Sequence, residues 1–185
     1  MALNIYLAGP EVFLPDAIAI GTTKREICAR HGVRGLFPLD KAVDLAAPDA
    51  SLRIFKGNEA MMDAADAIIA NLTPFRGPGA DAGTVYELGY MAGRGKRCLA
   101  YCNDPASYAE RVARFTGVTT TSNRGLIDSD GLTVEDFGWP DNLMMIHALD
   151  LHGHPLVLPR ARPADLWRDL SAFEACVRLA ANRPG

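Results

Sequence analysis

Apolar residues along the chain gather in short runs, and between the runs they recur at helical spacing. Leu3 to Ala8 is a largely apolar run that stops at Gly9-Pro10, as a buried first strand would. Asp16 to His31 places Ile18, Ile27 and Cys28 at helical spacing and closes at His31-Gly32, where glycine ends the helix. Val33 to Leu39 predicts a short second strand cut at Pro38, followed by a loop rich in Ala, Asp and Pro up to Asp49. Ser51 to Ala65 predicts a second helix with Ile54, Met61 and Met62 inward. A third strand, Ala67 to Leu72, leads through a Pro/Gly loop, Thr73 to Gly79, into a helix from about Thr84 to Gly93.

Arg97 to Tyr101 predicts a fourth strand. Asn103 to Trp139 is rich in Thr, Asp, Ser and Gly and predicts long loops around a short helix near Ser107 to Phe115. A helix over Asn142 to Leu151, a last strand over His154 to Leu158 and an amphipathic closing helix over Pro163 to Asn182 complete the pattern. Strands alternating with helices imply a mostly parallel sheet of five strands, covered on both faces. No repeat or linker divides residues 1–185, so one α/β domain with a three-layer core is expected.

A formal charge of −3 leaves no electrostatic footprint for a nucleic acid polymer or an acidic membrane. No apolar run reaches the ~18 residues of a membrane helix. The opening, Met1-Ala-Leu-Asn-Ile-Tyr6, lacks a basic region followed by a cleavable apolar segment, and a cytoplasmic protein is expected. The four cysteines, Cys28, Cys98, Cys102 and Cys176, stand in apolar contexts and read as buried free thiols. Cys98-x3-Cys102 has no second pair at ligand spacing, and His152-Gly-His154 lies in a turn before Pro155, so no metal site is expected.

The densest chemistry lies at Gly77-Pro-Gly-Ala-Asp81-Ala-Gly-Thr-Val-Tyr-Glu87-Leu-Gly89. It puts two carboxylates at a helix start beyond the carboxyl end of a strand, where open α/β sheets bind ligands. A purely structural account exists. Thr84-Val-Tyr-Glu87 fits a capping box, with Thr84 as the cap and Glu87 reaching back to its amide. Acids in a first turn also suit the helix dipole. That account leaves Asp81, Gly77, Gly79 and Gly83 with turn-making alone. The glycines are not a phosphate loop, because the Lys-Ser/Thr that should follow is absent.

Four pieces in order carry a family resemblance: Tyr6-Leu-Ala-Gly-Pro10, the run from Asp63 to Gly77, Asp81-Ala-Gly-Thr-Val-Tyr-Glu-Leu-Gly89, and Asp141-Asn-Leu-Met144. Together they resemble the nucleoside 2-deoxyribosyltransferase family over most of the first hundred residues and the segment near Asn142. The resemblance implies a flavodoxin-like (Rossmann-like) α/β fold, a homo-oligomer with sites shared between subunits, and transfer of 2-deoxyribose between the bases of deoxynucleosides and free nucleobases. No organic cofactor or metal enters that chemistry. By position, Glu87 would be the nucleophile at the anomeric carbon, and Tyr6 would hydrogen-bond and orient it. Asp81 would hold sugar hydroxyls, and Asn142 with Met144 would reach the sugar of the adjacent protomer's site.

These residue types suit the reaction. Breaking an N-glycosidic bond develops oxocarbenium character, which a carboxylate stabilises and then traps covalently. A second base displacing the carboxylate gives net retention. Asp81 accepts from a hydroxyl but repels a 5′-phosphate, which favours nucleosides over nucleotides. Gly9, in the first turn, and Phe13, just beyond it and able to stack on a base, are further substrate-binding candidates. For a general acid the neighbourhood Asn58-Glu59-Ala-Met-Met-Asp63 offers Glu59, Asp63 or neither, with Asn58 binding a base without donating a catalytic proton. An N-glycosidase using Glu87 with water as acceptor, and a noncatalytic nucleoside-sensing module, are the alternative readings.

Overall fold

The computed structural model describes residues 2–40, 44–117 and 120–182, so part of the expected 40–49 loop and of the 103–139 region falls outside it. Four parallel strands, β1 (Asn4–Ala8), β2 (Arg34–Leu36), β3 (Ala67–Asn71) and β4 (Arg97–Tyr101), form a sheet in the order β2-β1-β3-β4. The helices are α1 (Ala17–Arg30), α2 (Ala50–Ala64), α3 (Ala82–Gly93), α4 (Tyr108–Thr116), α5 (Leu143–His152) and α6 (Ser171–Ala181).

Side chains alternate across a strand, and that period sorts the core into two layers. Ile5 and Leu7 of β1, with Ile69 and Leu99, pack against Ile27 of α1 and Phe173 and Val177 of α6. Tyr6 and Ala8, with Ile68 and Ala70, face the other way onto Met62 of α2, Leu88 and Met91 of α3 and Leu149 of α5. Each buried Ile, Leu, Met, Val or Phe among them, removed from water, contributes roughly 1.5–3 kcal/mol. Because both faces are covered, β1, β3 and β4 read as continuous apolar runs rather than alternating ones.

The chain runs from β1 outward to β2 and then crosses back to β3, so direction reverses between β1 and β3. In such sheets the crevice beyond the strand ends at that reversal is the ligand position. Tyr6, Glu11, Asn71 and the loop leading to α3 all lie at or near that end.

The structure corrects the expected five-stranded sheet to four strands. Residues 153–157 do run parallel beside β4, but only as isolated bridges, Cys98 with Gly153 and Tyr101 with Val157. Val157 N donates to Ala100 O at 3.0 Å, and Cys102 N to Val157 O at 3.1 Å. Pro155, between the bridges, has no N–H to continue a ladder.

Other elements shift as well. The second strand shortens to Arg34–Leu36, and the closing helix begins only at Ser171, after turns. Ile18 is 61% exposed, and Ile54 also faces outward, while Met62 is buried. The polar 103–139 region holds the expected short helix, opened by a Ser107–Glu110 capping box, and also an antiparallel pair, β5 (Thr120–Ser122) and β6 (Gly125–Ile127). All four cysteines are free and buried, as expected. Among the described residues, no helix is long and apolar enough to cross a membrane.

Candidate active site

Tyr6 sits in the middle of β1 on the face turned toward α3, fully buried, and its hydroxyl donates to Glu87 Oε1 at 2.5 Å. Glu87 projects from the second turn of α3 into a cleft of about 280 Å³. Phe55, Asn58 and Met62 of α2 form one wall, and Gly83, Tyr86 and Glu87 of α3 form the other. Phe55 and Tyr86 approach with ring centroids 6.2 Å apart. At Gly83 a Cβ would lie 3.1 Å from Asp81 Oδ2.

Two carboxylates and one phenol set the electrostatics. Burial pushes the Glu87 carboxyl up from its ordinary 4.5 to about 7; the Tyr6 hydrogen bond opposes that rise, and the nearby Asp81 charge adds to it. Burial, and then the adjacent Glu87 charge and hydrogen bond, raise the Tyr6 phenol well above its ordinary 10, so it stays a proton donor. Glu87 is therefore partly ionised near neutrality, with its ionisation tuned chiefly by burial.

Asp81 corrects the expected cap. α3 begins at Ala82, and Asp81, not Thr84, is its N-cap: Oδ2 accepts from Thr84 N at 2.9 Å and from Thr84 Oγ1 at 3.0 Å. Thr84 is buried inside the first turn. Glu87 then lies too deep in the helix to reach back to a cap amide and is free for Tyr6. The helix thus begins three residues earlier than the S/T-x-x-E pattern suggests, because an aspartate caps as well as a threonine does. Asp81 Oδ1 has no hydrogen-bond partner among the described residues, and Asp81 stands beside the cleft rather than among the residues that line it.

The remaining candidates are not gathered into this cleft. Gly9 is buried, and a Cβ there would lie 2.0 Å from Glu11 Oε2 and 2.9 Å from Asn71 Cβ, so its bareness admits the Glu11 side chain. Phe13 is 57% exposed and stacks on Phe75 at 5.3 Å, with the Arg76 guanidinium over both rings. Asn142 caps α5, its Oδ1 accepting from Met144 N at 3.0 Å, and Met144 is 71% exposed. Asn58 lines the cleft, whereas Asp63 accepts from Tyr90 Oη at 2.9 Å and pairs with Arg94. Glu59 is not among the cleft residues.

Sequence reasoning missed Glu11. Fully buried in the turn after β1, it takes an ion pair from Lys24 of α1 and hydrogen bonds from Asn71 Nδ2 at 2.8 Å and Tyr101 Oη at 2.7 Å. Burial alone would raise its carboxyl, but the Lys24 charge and hydrogen bond, with the Tyr101 bond, hold it below the ordinary carboxylate value. The network ties together the ends of β1, β3 and β4 beneath the crevice. The only sequence signal was an acid in an apolar turn, with a lysine on the inner face of the next helix. Among the described residues, no group of three or more His, Cys, Asp or Glu side chains is arranged to hold a metal ion.

Comparison with known proteins agrees with this geometry. The profile of the nucleoside 2-deoxyribosyltransferase family matches residues 5–144. An uncharacterized protein of Schizosaccharomyces pombe is 37% identical over 155 residues, covering 76% of this chain and 74% of that protein. The solved structure of a 2-desoxiribosyltransferase from Leishmania mexicana is 32% identical, with a TM-score of 0.64 over 95% of this chain and 97% of that one. A conserved protein from Enterococcus faecalis V583, at 19% identity and a TM-score of 0.55 over 86% of this chain and 92% of that one, shares the fold.

Proposed function

Because the chain belongs to the nucleoside 2-deoxyribosyltransferase family, we propose that it moves a 2-deoxyribosyl group from one nucleobase to another through a covalent bond to Glu87. The observation that carries this reading is the Tyr6 hydroxyl held 2.5 Å from Glu87 Oε1 at the cleft. That bond fixes one carboxylate oxygen and leaves Oε2 to attack. Such an arrangement has a nucleophile and a group that orients it within hydrogen-bond reach.

In the first displacement, Glu87 Oε2 bonds to the anomeric carbon as the N-glycosidic bond breaks and its electron pair leaves with the base. The oxocarbenium-like charge that develops lies against the carboxylate. In the second, a nitrogen of the acceptor base forms its bond to the same carbon, Glu87 departs as carboxylate, the proton lost from that nitrogen balances the one the first base takes up on leaving, and configuration is retained. Phe55 and Tyr86 suit the flat faces of a base, and Asn58 offers it one amide donor and one acceptor. Asp81 Oδ1 suits a sugar hydroxyl and disfavours a 5′-phosphate. Asn142 and Met144, outside their own chain's cleft, serve a neighbouring subunit's site in a homo-oligomer, and Met144 is exposed enough to do so. The Leishmania mexicana protein, a 2-desoxiribosyltransferase by name, supports the same chemistry at 32% identity.

The test is chromatography of the purified protein incubated with deoxyinosine, with and without adenine, beside Glu87→Ala. Deoxyadenosine formed only with adenine, and absent with Glu87→Ala, is the expected result. Hypoxanthine and free deoxyribose regardless of adenine would make the protein a hydrolase. Near-normal turnover by Glu87→Ala would remove the nucleophile assignment.

A further inference from the structure

A second buried ion pair lies away from the nucleophile. Arg111 of α4 and Asp141, one residue before the α5 cap, are each almost wholly buried, with Arg111 Nη2 at 3.3 Å from Asp141 Oδ2. Arg111 Nε has no hydrogen-bond partner among the described residues, and Nη1 finds only Cys102 Sγ at 3.9 Å. Desolvating two charges consumes most of what their attraction returns, and an orphaned N–H adds a further cost. As a device for stability the pair is poor.

Its geometry is better suited to holding two backbone segments in register. Asp141 Oδ1 accepts from Asn142 N at 2.8 Å. The amide of Ala80, the residue before Asp81, stabilises the same charged carboxylate. The same loop runs alongside Asp141, where a Cβ at Gly79 would stand in ordinary contact with Asp141 Oδ1, at 3.8 Å. On the other side, Glu135 accepts from Asn142 Nδ2 at 2.7 Å and from Leu143 N at 3.1 Å, which fixes the carboxamide's orientation. Burial raises the Asp141 carboxyl, while the two amides and Arg111 draw it back toward ionisation. One carboxylate thus spans from the cap of α3 to the cap of α5, and both α4 and Glu135 belong to the 103–139 region whose purpose the sequence left open.

We infer that Asp141 is a positioning residue for the deoxyribosyl donor: held by Arg111, it fixes both Asp81, which serves its own chain's site, and Asn142, which serves the neighbouring subunit's, in the placement that sugar recognition requires. The inference rests on the deoxyribosyl-transfer reading above. Loss of the carboxylate should loosen sugar recognition and leave the chemistry at Glu87 largely as it was.

The experiment measures initial rates of the full-length wild-type enzyme, Asp141→Asn, and a double variant, Arg111→Met with Asp141→Leu, over both donor deoxynucleoside and acceptor base, with thermal melts of each. For Asp141→Asn the donor KM should rise roughly tenfold or more, with kcat and the acceptor KM changed by less than about threefold. The double variant, which removes both charges, should recover wild-type melting without recovering the donor KM. A role in stability alone would give another pattern: lower apparent kcat at unchanged donor KM, with activity restored in the double variant. Either a donor KM within about twofold of wild type in both variants, or its recovery in the double variant, overturns the positioning role. Should Asp141→Asn fail to fold, the double variant alone decides. Wild-type protein that turns over no deoxynucleoside would defeat the transfer reading and this role with it, whereas wild-type turnover with unshifted variants defeats only the role.

Discussion

Consider Glu87→Gln, which preserves the shape of the side chain and an oxygen for the Tyr6 hydroxyl but abolishes the charge. Burial lifts this carboxyl from 4.5 to about 7. At ~1.4 kcal/mol for each tenfold change in proton affinity, ionising it in the folded protein costs on the order of 3 kcal/mol more than in the unfolded chain. A carboxyl whose folded value is raised contributes its full stability below about pH 4.5 and loses it as the pH rises through about 7. The glutamine cannot ionise. The variant should therefore match wild type near pH 4, gain on it between those two values, and hold a constant advantage above about pH 8. For a chain of this size, ~3 kcal/mol corresponds to a melting point higher by about 6–12 °C. Calorimetric melts of both proteins from pH 4 to 8.5 give the difference directly, and turnover by the variant should be lost. A difference that stays flat across that range would refute the claim that burial sets the Glu87 ionisation.

Tyr6→Phe removes the bond that favours ionised Glu87, so the acid limb of kcat/KM should move to higher pH, and kcat at pH 8 should fall roughly tenfold or more; an unmoved limb would separate Tyr6 from the nucleophile. Asp81→Asn removes the neighbouring charge that raises Glu87, so the same limb should move to lower pH while the donor KM rises; an amide oxygen still caps Thr84, so a large drop in melting point would contradict this. Lys24→Met leaves Glu11 buried with no countercharge and should cost about 3–5 kcal/mol in denaturant unfolding, and adding Glu11→Gln should recover part of it; no loss with Lys24→Met would mean that the pair contributes nothing.

What the sequence disclosed follows from period and chemistry. β1, β3 and β4 were legible because strands buried on both faces become unbroken apolar runs, and a short helix near Ser107 was legible within the polar region that follows them. Glu87 and Tyr6 stood out through residue type and order, before any distance between them was known. Asp81 was misplaced because Asp-x-x-Thr and Thr-x-x-Glu both satisfy cap chemistry, and only the backbone decides which begins the helix. The 120–127 hairpin was hidden because Thr120-Thr-Ser122 and Gly125-Leu-Ile127 are too short and polar to show a period. Glu11 escaped for another reason: its partners Asn71 and Tyr101 lie 60 and 90 positions away, and an acid in an apolar turn ahead of a lysine is too faint a signal to separate a buried glutamate from a solvated one. Asn58 lines the cleft beside Phe55 and Met62, a placement that the ambiguous register around it did not disclose.

The interrupted strand at residues 153–157 also bears on what the molecule avoids. An open sheet ends in rows of unpaired amides and carbonyls, a template on which other chains aggregate. Here the outer side of β4 is occupied by a segment that bonds at its two ends and, at Pro155, offers no amide outward. At the opposite margin β2 is only three residues long. A parallel sheet in which three of the four strands are almost wholly apolar is thereby closed to strand addition on both sides. Restoring an amide with Pro155→Val would lengthen the ladder but would also reopen that margin to self-association during refolding.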